Sequence, residues 1–331
     1  MSIITFANQK GGVGKTMTVA ATASVLTEQG FKVLMIDLDA QRNLDMVAGH
    51  LGEPLEIKRN DSTSLSVLDV LKGDCTLEEA IVPSAIGDLV RASNQLYGWL
   101  GNKCIKDDEF SIVADNWAKI ELLLLGHEQE QGDVDDLLKN IHIHSKNIGK
   151  LLTKEGKVTI SELLGEENAD HRLLERALKT LDREYDFILI DTNPTLTLLT
   201  LNALYACQYV VIPTFPEASA IEATIELFET IFTIKNLNPY RKLEIAGVLR
   251  TKYSPHRVKS KRHDNILTTV VERGMGSYLF KTRIRDTERA SEYVEAKLDI
   301  VRHDPSGNTT QDYRDFVDEL KERIGNLAEG K

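Results

Sequence analysis

Residues 3–16 read Ile3-Ile4-Thr5-Phe6-Ala7-Asn8-Gln9-Lys10-Gly11-Gly12-Val13-Gly14-Lys15-Thr16. An apolar run of strand length, residues 3–7, gives way to a glycine-rich loop, residues 8–16. Alanines, Val19, Val25 and Leu26 then recur at helical spacing over residues 17–29, and Gly30 supplies a stop. A buried strand, a glycine loop and a helix in that order form a cradle for phosphate. The glycines let the backbone curl until its N–H groups converge on an anion. The helix presents its positive end to the same point. In this reading Lys15 brings a point charge to the β- and γ-phosphates and the Thr16 hydroxyl is placed for Mg²⁺. The nucleotide-binding set is Lys10, Gly11, Gly12, Val13, Gly14, Lys15, Thr16 and Met17.

Outward from this loop, four further runs are nearly continuous in apolar residues: 32–38 (KVLMIDL), 185–191 (YDFILID), 209–213 (YVVIP) and 243–249 (LEIAGVL). Such runs suit a parallel sheet covered on both faces. Helical patterns separate them, so the spacing predicts an α/β fold, a doubly wound and mostly parallel sheet flanked by helices. We expect one domain over residues 1–331. Residues 98–169 are acid-rich and weakly periodic, and read as a helical insertion with candidate helices over 116–125 and 134–140.

The Lys10-Gly-Gly-x-Gly-Lys15-Thr arrangement, with Gln9 where an ordinary Walker A motif has glycine, resembles the deviant Walker A group of P-loop proteins. That group includes ParA, MinD and the nitrogenase iron protein. The resemblance implies ATP and Mg²⁺ as cofactors and a nucleotide-sandwich homodimer in which Lys10 reaches the partner's phosphates. The strand end Asp37-Leu38-Asp39-Ala40-Gln41-Arg42-Asn43 resembles the family's Asp-x-Asp-Pro-Gln-x-Asn stretch, with Ala40 and Arg42 departing from it. It implies that Asp39 acts on the attacking water, alongside Lys10 and Lys15 as catalytic residues. Asp37 would stand in the Mg²⁺ shell. Asp191 falls in the Walker B position, which implies a further Mg²⁺ contact. Asp191-Thr192-Asn193-Pro194 and Leu198-Leu199-Thr200-Leu201-Asn202-Ala203-Leu204 resemble the ParA-like Asp-x-Pro-Pro and Leu-Thr-x-Asn-Ala-Leu stretches. Residues 212–217, with Pro213 and Glu217, resemble the stretch that lines the nucleotide base, and residues 65–82 the family's short linker helices.

The formal net charge of the 331-residue chain is −11, which argues against a surface that coats nucleic acid all over. Charge is nevertheless local. Residues 250–289 carry eleven Lys/Arg against four Asp/Glu, which marks one basic face. The segment from Lys281-Thr282-Arg283-Ile284 to Arg289-Ala290-Ser291-Glu292 resembles the ParA Lys-Thr-x-Ile…Arg-x-Ser-Glu stretch. By that resemblance Arg289, Lys281 and Arg283 face DNA, while Arg257, Lys259, Lys261 and Arg262 supply a second contact from a loop.

Cys75, Cys104 and Cys207 are widely spaced and show no metal or disulfide pattern. His142 and His144 lack a third ligand nearby and read as a surface pair. The N-terminus has no signal-peptide pattern, and no apolar run is long enough to cross a bilayer. The last twenty residues place Phe316, Val317, Leu320, Ile324 and Leu327 on one stripe with an acidic polar face. That stripe suits a helix docked on the core and suits a membrane anchor badly. The expectation is a cytoplasmic, nucleoid-associated ATPase that partitions DNA cargo. It would bind nonspecific double-stranded DNA and be stimulated by a ParB-like adaptor. The alternative is a MinD-like ATPase that positions a protein or membrane-bound cargo. A ligase of similar fold leaves Lys10 and the basic segment unexplained.

Overall fold

The computed structural model describes residues 1–49, 65–96, 170–237, 242–254, 258–275, 278–287 and 292–330 except 294 and 297. Residues 98–169, with both candidate helices, Cys104, His142 and His144, lie outside the described residues, as do Arg257 and Arg289.

The strands are β1 (Ser2–Phe6), β2 (Val33–Asp37), β3 (Ile81–Ser84), β4 (Gly87–Val90), β5 (Phe187–Asp191), β6 (Tyr209–Thr214), β7 (Glu244–Tyr253) and β8 (Leu279–Arg285). They form one eight-stranded sheet in the order β3-β4-β2-β5-β1-β6-β7-β8. Every pairing is parallel except the edge pair β3–β4. The expected doubly wound sheet is therefore present. Of residues 65–82, read as short helices, one short α-helix forms, α3 (Val67–Lys72), and the β3–β4 hairpin, which no reading anticipated, begins at their end. The remaining described α-helices are α1 (Lys15–Glu28), α2 (Asn43–Ala48), α4 (Leu173–Lys179), α5 (Leu198–Ala206), α6 (Ala218–Leu237), α7 (Val258–Thr269), α8 (Ile300–His303) and α9 (Asn308–Glu329).

Alternation along the central strands feeds two cores. On one face Ile3, Leu34, Ile36, Ile188 and Ile190 pack with α3, α4, α5 and α6. On the other, Ile4, Phe6, Met35 and Leu189 pack with α1 and α9. Helix α1 is buried at every position from Met17 to Leu26, which explains its run of small and branched residues. It ends at Gly30 (φ 88), with Gly30 and Phe31 N–H groups returned to the Thr27 and Leu26 carbonyls.

Helix α9 begins four residues before the expected segment. It buries Tyr313, Phe316, Val317, Leu320 and Ile324, so its apolar stripe belongs to the core. Glu319 accepts the backbone N–H groups of Lys281 and Thr282, and Asp312 accepts that of Arg285. The outward-facing amides of edge strand β8 are thereby spent on helix carboxylates.

The topology sets the place of the site. Chain connections leave β1 toward β2 on one side and cross from β5 to β6 on the other. The crevice between them opens at the carboxyl ends of β1 and β5, the position where open α/β sheets bind ligands.

Candidate functional site

The glycine loop leaves the end of β1 and enters α1, whose N-cap Gly14 is left-handed at φ 83 and ψ 22. Gly12 is also left-handed, at φ 75, so two of the three loop glycines are dictated by backbone conformation. Gly11 is different: a Cβ there would meet only the Pro194 Cβ at 3.9 Å. Lys15 is buried, and its Nζ donates to the Asn8 carbonyl at 3.1 Å and the Lys10 carbonyl at 3.2 Å. Burial pulls the Lys15 pKa down, while Asp191 and Asp39 favour its charged form. Its ammonium thus sits at the centre of the loop, facing the strand-end carboxylates. Lys10 is half-buried on the loop's rim, and its N–H donates to Asn8 Oδ1 at 2.9 Å.

Asp37 and Asp191 occupy facing register positions at the ends of β2 and β5, and both are fully buried. Asp37 Oδ1 accepts the Asp39 N–H at 2.9 Å. Asp37 Oδ2 and both Asp191 oxygens lack a well-directed hydrogen bond. Burial raises the Asp191 pKa to about 7, opposed by the nearby Thr16 hydroxyl and Lys15. Burial and the Asp191 charge also push Asp37 well above the carboxylate range. Two buried carboxylates side by side are costly to ionise together unless a cation joins them. The donor set is all hard oxygen and fits Mg²⁺, which takes one or two carboxylates and completes its shell with phosphate and water.

Asp39 does not continue the alternation of β2, because the strand ends at Asp37. The chain turns, and Asp39 Oδ1 accepts the Gln41 N–H at 3.0 Å. Positions 37 and 39, two apart, would share one face of a strand in any case, and the turn keeps Asp39 near enough to Lys15 to favour its charged form. Asp39 is 7% exposed, whereas Asp37 is sealed. Arg42, where the family commonly has glycine, takes the left-handed conformation (φ 56) that glycine would supply. Its guanidinium turns to Asp45 at 2.7 Å, and Arg91 reaches the same carboxylate at 3.2 Å. Arg42 thus pairs within its own helix turn, while Arg91, just after β4, ties α2 to that strand.

Pro213 and Glu217 lie at the end of β6 beside β1. The Pro213 carbonyl accepts from Asn8 Nδ2 at 2.9 Å, and Glu217 is exposed just ahead of α6. Four buried polar side chains here were not singled out from sequence: Asn8, Thr214, Thr224 and Thr251. For Asn8, Thr214 and Thr251 the one signal was a polar residue just after, or near the end of, an apolar strand; Thr224, inside α6, gave none.

The basic segment is less uniform than its composition. Strand β7 runs on to Tyr253, so Arg250 is part of the sheet. It is buried and paired with Asp264 at 3.5 Å. Arg283 reaches the same Asp264 at 3.3 Å and lies over the Tyr253 ring at 4.6 Å. Arg285 pairs with Asp312 at 2.6 Å. Lys259, Lys261 and Arg262 belong to helix α7 instead of a loop, because buried Asp264 and Leu267 tie that stretch to the sheet. Lys281 is exposed.

Residues 4–300 match the family model described as the CobQ/CobB/MinD/ParA nucleotide-binding domain. The chain is 28% identical over 327 residues to the chromosome partitioning protein ParA of Myxococcus xanthus, covering 97% of this chain and 88% of that one. It is also 28% identical over 324 residues to the sporulation initiation inhibitor protein Soj of Bacillus subtilis, covering 96% and 97%. Among solved structures, it resembles cobyrinic acid a,c-diamide synthase of Mycobacterium smegmatis with bound ADP and magnesium. The TM-score is 0.62 at 25% identity, over 100% of this chain and 97% of that one.

Proposed function

This chain belongs to the CobQ/CobB/MinD/ParA family of nucleotide-binding domains, and we propose that it is an ATP-dependent dimerising switch. The ATP-bound dimer holds nonspecific duplex DNA, slow hydrolysis releases it, and DNA cargo is partitioned or positioned as a result. The observation that carries this reading is the arrangement of two lysines around one glycine loop. Lys15 sits buried between loop carbonyls and the Asp39–Asp191 carboxylates. Lys10, its backbone fixed by Asn8, stands on the rim. A rim cation beside a site that already holds a lysine suits phosphates presented by a second protomer.

In this reading the loop N–H groups, Lys15 and Met17 at the head of α1 hold the phosphates, and Pro213 and Glu217 at the end of β6 line the base. Thr16, Asp37 and Asp191 hold Mg²⁺, which would neutralise charge on the β- and γ-phosphates. Asp39 orients the attacking water as its general base. Contacts that act on water alone matter in turnover more than in binding.

Lys281, Arg289 and the α7 residues Lys259, Lys261 and Arg262, with Arg257 ahead of them, supply phosphate contacts, and Arg283 joins them. Such contacts carry no sequence information. The chromosome-partitioning relative favours DNA as the cargo, and the resemblance of the motifs to ParA proteins suggests an adaptor of the ParB kind as the stimulator of hydrolysis. The expected location is the nucleoid. The apolar stripe of α9 is occupied by the core, which disfavours a MinD-like use of that helix at a membrane, and among the described residues no helix is long and apolar enough to cross one.

Sedimentation with ADP and ATP tests the switch. The wild type should dimerise with ATP alone. Asp39→Ala should form a persistent ATP dimer without turnover, and Lys10→Ala should bind ATP and lose stimulated turnover. A wild type that stays monomeric with ATP would remove the switch.

A further inference from the structure

The four buried polar residues around the loop form one connected network. Asn8 Oδ1 accepts the Lys10 N–H, and its Nδ2 donates to the Pro213 carbonyl and, at 3.3 Å, to Thr224 Oγ1. Thr224 Oγ1 lies 3.1 Å from Thr214 Oγ1. Thr251 Oγ1 lies 2.8 Å from the Val13 carbonyl and 3.0 Å from the Thr214 carbonyl. The network thus fastens both sides of the glycine loop to the ends of β6 and β7 and to the first turns of α6. All four side chains are at most 2% exposed.

The Val13 contact has a directional consequence. The peptide joining Val13 to Gly14 is trans, since there are no cis bonds among the described residues. In a trans peptide the C=O and N–H point in opposite directions. With the Val13 carbonyl held against β7, the Gly14 N–H is turned away from β7, toward the hollow of the loop. Gly14 itself cannot enforce this. Glycine accepts either sign of φ, so the 13–14 peptide could rotate and turn its carbonyl inward, replacing a phosphate donor with a repelling oxygen. The restraint must come from outside the loop, and the Thr251 hydroxyl is the group in place to supply it. Its Cβ and Cγ2 also pack 3.9 Å from where a Cβ on Gly14 would stand.

We propose that Thr251 is a positioning residue for the phosphate loop. Its hydroxyl locks the Val13–Gly14 peptide with the N–H facing the nucleotide's phosphates, and Asn8 performs the matching task at Lys10. The proposal rests on the phosphate-loop reading of residues 8–16. It also ties the phosphate end of the site to β7, the strand that leads into the basic segment.

The test is calorimetric binding of ATP and ADP to Thr251→Val, which keeps the branched shape without the hydroxyl, and to Thr251→Ser, which keeps the hydroxyl. Binding is measured where circular dichroism shows every variant folded. The Val variant should bind both nucleotides about tenfold more weakly, and the Ser variant within about threefold of wild type. If Val lowers the folded fraction, Thr251→Ala, which leaves space instead of a methyl against two carbonyls, takes its place. Wild-type affinity in the hydroxyl-free variant, or a Ser variant as weak as Val, overturns the proposal. Lys15→Ala is the control: if it keeps full ATP affinity the phosphate-loop reading itself fails. If it loses affinity while Thr251→Val does not, the lock alone is wrong.

Discussion

Asp37 and Asp191 face each other across the neighbouring parallel strands β2 and β5, fully buried, and only Asp37 Oδ1 has a well-directed hydrogen bond. Two carboxylates so placed repel when both are charged, and a divalent cation relieves that repulsion. ATP affinity measured with Mg²⁺ and with EDTA should differ by about tenfold in the wild type and by less than about threefold in Asp191→Asn. An Asn variant that keeps the full ratio would remove Asp191 from the metal shell.

The loop glycines separate fold from assembly. Gly14 is left-handed, so Gly14→Ala should cost about 1–2 kcal/mol of stability. Gly11 has no positive φ, and a Cβ there meets only Pro194 at ordinary contact distance. Gly11→Val should therefore melt within about 3 °C of wild type while failing to dimerise with ATP. A Gly11→Val protein that dimerises normally contradicts the sandwich geometry.

The basic residues should divide by their partners. Lys281 is exposed, whereas Arg283 is paired with Asp264 and stacked on Tyr253. Lys281→Glu should weaken DNA binding and leave the melting temperature unchanged. Arg283→Glu should also destabilise the protein, by about 1–3 kcal/mol, because it sets a second carboxylate beside buried Asp264. Equal melting temperatures in the two variants would show that the Arg283–Asp264 contact contributes nothing.

Glu229 on α6 is half-buried, and burial with Glu226 nearby raises its pKa from 4.5 to about 7. Below pH 4.5 the group is neutral in both folded and unfolded chains. Between pH 4.5 and 7 the folded state holds the extra proton, so this contribution to stability is lost as pH rises through that window. Glu229→Gln should flatten the loss and be more stable than wild type at pH 8 by about 1 kcal/mol. Denaturant melts at pH 5 and pH 8 check the sign, and a wild type that gains stability over this range relative to the Gln variant would reverse it.

Much of the sheet could be read from residues because its strands are buried on both faces. Residues 32–38 and 185–191 are nearly continuous apolar runs for that reason, and they contain Asp37 and Asp191. The β3–β4 hairpin escaped notice because Ile81–Ser84 and Gly87–Val90 are four-residue edge strands interrupted by Pro83 and Gly87. Arg250 was counted as surface charge because composition cannot show that β7 continues through it to Tyr253. Asn8 and Thr251 were overlooked for a related reason. A single polar residue at a strand end has no periodicity, and its value comes from a carbonyl more than 200 residues away in sequence.

The most direct measurement is binding of a nonspecific DNA duplex to the wild type at low salt, with ADP, with ATP and with a non-hydrolysable ATP analogue. The account predicts tight binding with ATP and the analogue and little with ADP. It also predicts a log–log salt slope of about −0.9 for each phosphate neutralised and loss of binding in Arg289→Glu with ATP affinity intact. No binding in any nucleotide state, or equal binding in all of them, would contradict it.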